Sequence, residues 1–514
     1  MTATTATRDR PLWPYLLLYA AAAAWLAFSG IHRVHRSDSL MFALASLYEW
    51  TPFFWEQDRV GMLVPLVVSV VQDPALNLVI QVGITAFAGL CVPLFLAELV
   101  YPHPVGRVAA TLANAWMLLA APDRVRENFL VECYYPLSMA LGCGALLVLS
   151  RGPGWPSWWR VSLAAVLLVL ACWVYLGVPL WLGPLALARG LFRPGEPAPA
   201  TPRELLLRPA YHARTVIGCM LIVAAFGLGL VWMNMARAAH PDLIKPTPQD
   251  ALPIQQWGES WWGFVEHFAR LPDMGVWLLG LLGAAAVGVT VAVKMAGPGG
   301  RVGYPLAAAA GVLLAPAAAE FGFIGTRYWT AENDHHPRYL LGSLQCLQTL
   351  LAVCALLPLA NFAVGRRGWV LSLSAAVLLF AAATARYGLP APDRPRAELD
   401  ALAGAWTADL LAADVDAVGG DYWTAWLAVY HANMVRREQG DRRVLAGVIL
   451  RGRVLLRATG YADRKELRVA ARNDGDERAH FFAAAEVCGF APPVKIGEHG
   501  AFEIYLVRPA APGP

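Results

Sequence analysis

The sequence predicts a polytopic α-helical membrane protein carrying a small soluble α/β domain at its C-terminal end. Three observations predict it. Apolar residues make up 57% of the 514-residue chain and charged residues only 15%, too few to solvate the surface of a soluble protein of this size. The apolar residues fall in blocks of about 18 to 25, the length a helix needs to cross a bilayer core. After Tyr387 that pattern stops, and a Pro-rich stretch, LPAPDRPRAE from Leu389, leads into sequence of ordinary soluble character.

The blocks lie at about 12–31, 75–99, 105–121, 133–150, 158–173, 175–192, 214–235, 274–295, 303–325, 339–362 and 369–387, which gives about eleven spans. The first is too long for a signal-peptide core and more spans follow, so it reads as a transmembrane helix; Arg8 and Arg10 then keep the N-terminus in the cytoplasm. Gly61–Val71 is too short to cross and reads as an interfacial or re-entrant piece. Trp158–Phe192 is too long for one crossing, and Tyr175, Gly177 and Pro179 stand at its middle, so it reads as two short spans.

The charges agree with this count. Arg151–Arg160, Arg193–Arg214, Lys294–Arg301 and Arg366–Arg367 fall on one side, and the acid-rich loops at about 32–61, 122–132, 236–273 and 326–338 on the other. By the positive-inside rule the basic side is cytoplasmic, and residues 391–514 lie outside the cytoplasm. The expected setting is a cell membrane, the bacterial inner membrane in particular. A net charge of only +4, with scattered arginines, argues against a nucleic-acid partner. The eight cysteines sit mostly in apolar runs without a CxxC spacing and read as small apolar fillers.

In the C-terminal part, DVDAVGG from Asp414 reads as a strand and turn. TAWLAVYHANMVRREQG reads as an amphipathic helix with a glycine stop, and VLAGVIL and FEIYLVRP read as strands. Gly419–Gly420 after a strand lacks the GxGxxG pattern of a phosphate loop. The aromatics of DYWTAW, Asp421–Trp426, are either core or a surface for an acceptor or glycan.

Chemistry concentrates in three of the acid-rich loops, where ionisable groups lie at membrane ends. In the first, Asp38 is either a helix-capping residue or a general base at the mouth of an apolar cavity. Glu56 and Asp58 are supporting acids or solvated loop charges, and Trp50, Phe53, Phe54 and Trp55 are sugar-stacking surfaces or interfacial anchors. In the second, Asp123 belongs to a run of alternating charge, whereas Glu132 opens a span beside Tyr134 and Tyr135 and is expected to face a cavity. In the third, Glu320 lies inside an apolar span and Arg327 follows it. Arg338 and Tyr339 open a helix that re-enters the membrane, where a cation either grips a specific phosphate or snorkels to ordinary membrane lipids. Asp334, His335 and His336 are a candidate set for a divalent metal ion, although an adjacent pair is poor ligand spacing.

Three stretches resemble the GT-C membrane glycosyltransferases, a superfamily that includes the protein O-mannosyltransferases and the lipid A aminoarabinose transferases. SDSLMFALASLYEWTPFFWEQDRVGMLVPL is placed like their first catalytic loop, VECYYPLSMALG like the opening of their fourth span, and HHPRYLLGSL like their late re-entering element. The resemblance covers about residues 10–390 and rests on order, spacing and common side. GMLVP at Gly61–Pro65 replaces the usual Lys-Pro-Pro, and no DxD is present in these loops.

The resemblance implies a GT-C-like membrane domain over 1–390 and a separate extracytoplasmic α/β domain over 391–514. It implies an enzyme that moves a sugar, with inversion, from a polyprenyl phosphate to the hydroxyl of a glycan, lipid or protein acceptor. Asp38 would be the base; Arg338, with Tyr339 and Arg327, would hold the donor phosphate. A lipid or glycan transporter would instead place charges near the bilayer midplane, often in inverted repeats, and no repeat is evident. A non-enzymatic membrane scaffold is the third alternative.

Overall fold

The computed structural model describes residues 11–57, 60–132, 134–151, 156–192, 203–204, 212–241, 250–296, 303–333, 335–360, 362 and 365–510. They form two compact units. One holds Met1–Leu26, Gly83–Asn234 and Thr247–Gly388; the other holds Ala27–Val82, Met235–Pro246 and Leu389–Pro514.

In the first unit a helix stands at each expected apolar block, because long runs of Leu, Ala and Val satisfy their backbone only within the helix. Among the described residues, six helices are long and apolar enough to cross a membrane: Pro74–Val100, Ala213–Ala239, Met274–Ala296, Leu306–Ile324, Pro337–Leu359 and Arg366–Tyr387. Asp123–Leu130 and Tyr134–Ser150, bent by 56° from one another, are apolar enough together to be either one broken span or a re-entrant loop. The chain is therefore a multi-pass membrane protein. The expected count of eleven is larger, because the helices Trp13–Ala27, Pro104–Ala120, Trp158–Val174 and Pro179–Phe192 have only 15, 17, 17 and 14 residues.

The Trp158–Phe192 run breaks at residues 175–178, and its halves pack against different neighbours: Trp158–Val174 on Tyr134–Ser150, and Pro179–Phe192 on Gly303–Ile324. Pro337–Leu359 is an inner span, with 72% of its apolar window buried, against 22% for Ala213–Ala239, which turns outward as a lipid-facing helix does. Gly89 permits one close approach: a Cβ there would lie 1.9 Å from the carbonyl oxygen of Phe129, so only glycine lets the Asp123–Leu130 segment seat on the Pro74–Val100 helix.

The second unit is built on a five-stranded sheet of order β2-β1-β3-β5-β4, with β1 Ala417–Gly419, β2 Ala446–Val448, β3 Leu467–Arg472, β4 Val494–His499 and β5 Phe502–Val507. β1 pairs in parallel with β2 and β3, while β5 runs antiparallel to β3 and β4. Helices Arg394–Ala412, Tyr422–Glu438 and Gly475–Val487 belong to it. Pro395 stands in the first turn of its helix, where a missing N–H costs nothing, so the Pro-rich stretch starts a helix instead of remaining an open linker.

Residues 27–82 are part of this same unit. Helix Ser37–Leu47, buried along its whole length, packs against Tyr422–Glu438. Tyr430 donates its hydroxyl to the Pro74 carbonyl at 2.7 Å, and the Ala391 N–H donates to the Phe28 carbonyl at 2.8 Å. Leu63–Val68 is a six-residue helix within the stretch expected to be interfacial.

Candidate functional site

In the first unit, three segments far apart in sequence surround Arg338. The His336 imidazole accepts from the Arg338 N–H at 3.2 Å and caps the short 3-10 turn Pro337–Leu340. The guanidinium then lies over the Tyr339 ring, 5.0 Å from its centre, and Nη2 donates to the Tyr339 hydroxyl at 3.0 Å. Its Nη1 stands 3.8 Å from Glu132 Oε1, with 12% and 7% of the two side chains exposed. Glu132 also accepts the Tyr134 hydroxyl at 2.7 Å. Tyr135 packs against Tyr134, tilted, with ring centres 4.3 Å apart, and edge-on against Tyr175 at 4.9 Å. A buried cation is thus bounded by one carboxylate and a set of tyrosines, an arrangement that offers charge and hydroxyl donors in apolar surroundings.

Three of the expected residues, Arg338, Tyr339 and Glu132, therefore meet; Tyr175 joins them without having been singled out for chemistry. Its signal was the break at Tyr175–Pro179, read only as a turn. The other expected residues of this unit are engaged elsewhere. Glu320 accepts from the Ser343 N–H at 2.5 Å and the Ser343 hydroxyl at 2.7 Å, so it caps the Leu341–Leu356 helix. Arg327 stacks 3.8 Å over Phe323. Asp123 pairs with Arg126 at 2.6 Å and Arg386 at 2.8 Å, tying Asp123–Leu130 to the end of the Gly365–Tyr387 helix.

Of the expected metal set, His335 and His336 are described and each is engaged with other partners. His335 packs edge-on to Phe264 and lies 3.4 Å from the Ser260 hydroxyl, while His336 spends Nδ1 on the cap. Asp334 lies outside the described residues. Among the described residues, no three His, Cys, Asp or Glu side chains gather as a metal set.

In the second unit Asp38 is in the first turn of Ser37–Leu47, where the helix dipole favours a carboxylate. Arg36 occupies the capping position. Asp38 Oδ1 accepts the Tyr422 hydroxyl and lies 3.3 Å from Arg451 Nη1. Arg451 also donates to the Tyr422 hydroxyl at 2.8 Å, closing a three-membered ring of contacts. The Ser37 hydroxyl reaches the Tyr422 carbonyl at 2.5 Å. Glu56 accepts from the Arg453 N–H at 3.3 Å; Asp58 lies outside the described residues. Arg451 and Glu56 both have left-handed backbone, φ 69 and 58, a strain that surrounding contacts must hold.

Trp50 is half-buried and donates its indole N–H to the Met62 carbonyl at 2.9 Å, while the other three first-loop aromatics are packed inside. Phe53, Phe54 and Trp55 are fully buried; Phe54 stacks on Phe42 at 4.7 Å and Trp55 packs 6.0 Å from Trp426. DYWTAW divides: Trp426 is core, Trp423 is exposed and Tyr422 reaches Asp38. Beside Gly420 stands the Glu477 carboxylate, whose Oε2 accepts from the Asp421 N–H at 2.6 Å.

Behind Asp38 runs a buried histidine pair. His32 Nε2 lies 2.8 Å from the Ala27 carbonyl and so carries the proton. Its Nδ1 then accepts from His35 Nε2 at 2.9 Å, and His35 Nδ1 meets the Ser39 hydroxyl at 2.9 Å. Burial lowers the His32 pKa to about 4, against smaller raising effects of the Ala27 carbonyl and Glu398, and it holds His35 well below its ordinary value.

Comparison with known sequence families and with curated proteins finds no match. Among solved structures the chain is similar to ArnT from Cupriavidus metallidurans bound to undecaprenyl phosphate. The identity is 12%, the match covers 97% of this chain and 98% of that one, and the TM-score is 0.46.

Proposed function

We propose that this chain is a membrane glycosyltransferase that moves a sugar from a polyprenyl phosphate to an acceptor hydroxyl outside the cytoplasm, with inversion. In this reading the N-terminus is cytoplasmic, about eleven segments cross the bacterial inner membrane, and the Leu389–Pro514 region faces outward.

The observation that carries the reading is the surroundings of Arg338. A buried guanidinium opening an inner membrane helix, with hydroxyl-bearing rings beside it, suits a phosphate at headgroup depth. Charge-assisted hydrogen bonds to such a group contribute about 1.5–3 kcal/mol each. Glu132 would hold the guanidinium in place before the donor arrives.

The chemistry needs two further things. The acceptor oxygen must lose its proton as it bonds to the anomeric carbon, while the bond from that carbon to the phosphate oxygen breaks. Asp38 takes the proton, and the departing polyprenyl phosphate keeps the electron pair beside Arg338.

The test uses the full chain in nanodiscs with polyprenyl phosphates carrying glucose, mannose, galactose or aminoarabinose, and follows release of polyprenyl phosphate. Turnover by the wild type that is lost in Asp38→Asn supports the reading. Wild-type turnover in Asp38→Asn removes Asp38 from the mechanism.

A further inference from the structure

A lone aspartate makes an imprecise base. Its terminal torsion is broad, so the carboxylate plane is set only by what binds it. Asp38 is bound from the C-terminal region by two side chains that are themselves fixed. Tyr422 begins a helix capped by Asp421, whose carboxylate accepts from the Trp423 N–H at 2.8 Å. Glu477 grips the same turn through the Thr424 hydroxyl at 2.6 Å. Arg451 is held between two rings, 5.2 Å from the centre of Phe54 and 5.0 Å from that of Tyr422. Its left-handed backbone is a conformation that an arginine rarely adopts and so has to be maintained by those contacts.

We propose that Tyr422 and Arg451 are positioning residues for the Asp38 carboxylate. They pin Oδ1, which fixes the plane of the carboxylate and leaves Oδ2 as the atom to meet the acceptor proton. The C-terminal region is then part of the catalytic apparatus and not an appendage to it. The inference rests on the reading of Asp38 as the base.

A purely structural clasp would make a different prediction. If the ring only ties residues 27–82 to the C-terminal region, breaking it lowers stability and leaves turnover per folded molecule unchanged. If it sets the base, breaking it lowers kcat in folded protein and spares donor binding.

The experiment measures kcat and donor KM of the full chain for Tyr422→Phe, Arg451→Gln, Arg451→Lys and Asp38→Asn, with the donor panel above and thermal midpoints as a folding control. The expected result is a fall in kcat of about 10- to 100-fold for Tyr422→Phe and Arg451→Gln, with donor KM within about twofold of wild type. Arg451→Lys, which keeps the cation, recovers part of the loss. Wild-type kcat in folded Tyr422→Phe and Arg451→Gln overturns the proposal, as does Arg451→Lys no better than Arg451→Gln. Such a result beside an inactive Asp38→Asn leaves Asp38 as the base and removes only its positioning partners; an active Asp38→Asn removes the underlying reading itself.

Discussion

Tyr422 donates its hydroxyl hydrogen to the carboxylate of Asp38, a residue 384 positions earlier in the chain. The contact joins the start of the Tyr422–Glu438 helix to the start of Ser37–Leu47, and the Ser37 hydroxyl doubles it on the Tyr422 carbonyl. It explains why residues 27–82 fold with the C-terminal region.

Arg338→Ala removes the cation beside Glu132 and is expected to lower kcat/KM for the donor about 100-fold, while Glu132→Gln costs about tenfold. Because the two side chains share one interaction, the double variant falls by less than the product of the two losses. Steady-state kinetics over donor concentration reads both effects.

Glu320→Ala should behave differently, although Glu320, like Glu132, is a carboxylate set among apolar membrane helices. It removes the cap on Ser343 and costs about 1–2 kcal/mol of stability. The expected outcome is a lower thermal midpoint in detergent with donor KM unchanged.

Gly89→Ala forces a methyl against the Phe129 carbonyl oxygen, and backbone cannot swing aside as a flexible side chain can. We expect a loss of about 1–3 kcal/mol and a weaker hold on the segment leading to Glu132. Melting and limited proteolysis near Asp123–Leu130 check it.

Acid should loosen the Ala27–Val82 region. Burial depresses the folded pKa of His32 to about 4, below its ordinary 6.5, and holds that of His35 well below its ordinary value too. The unfolded chain therefore binds these protons first. The stability is fully present above 6.5, falls as pH drops through 6.5, and levels off for His32 only below about 4. His32 alone contributes a loss of about 2 kcal/mol between about pH 8 and about pH 5. Thermal midpoints across that range should fall in the wild type and flatten in His32→Asn/His35→Gln.

The apolar blocks made the helices legible, because block length and backbone satisfaction leave few alternatives in a bilayer. The number of crossings was less legible: Pro179–Phe192 is as apolar as its neighbours but has only 14 residues. Around Arg338, the residue and its partner Glu132 both stood out as charges at span openings, while Tyr175 carried only a turn signal. Around Asp38 the sequence was silent on Arg451, one arginine among many, because its role comes from a left-handed turn after β2 and from two rings distant in sequence. β3 and β4 were also missed. β4 is an edge strand with both faces largely exposed, so it lacks the alternation that marks a half-buried strand.

The most direct test is transfer of sugar from a polyprenyl phosphate donor by the purified full chain, comparing wild type with Asp38→Asn and Arg338→Ala. We predict turnover by the wild type, almost none in Asp38→Asn at unchanged donor KM, and a raised donor KM in Arg338→Ala. Wild-type rates in both variants would contradict the account.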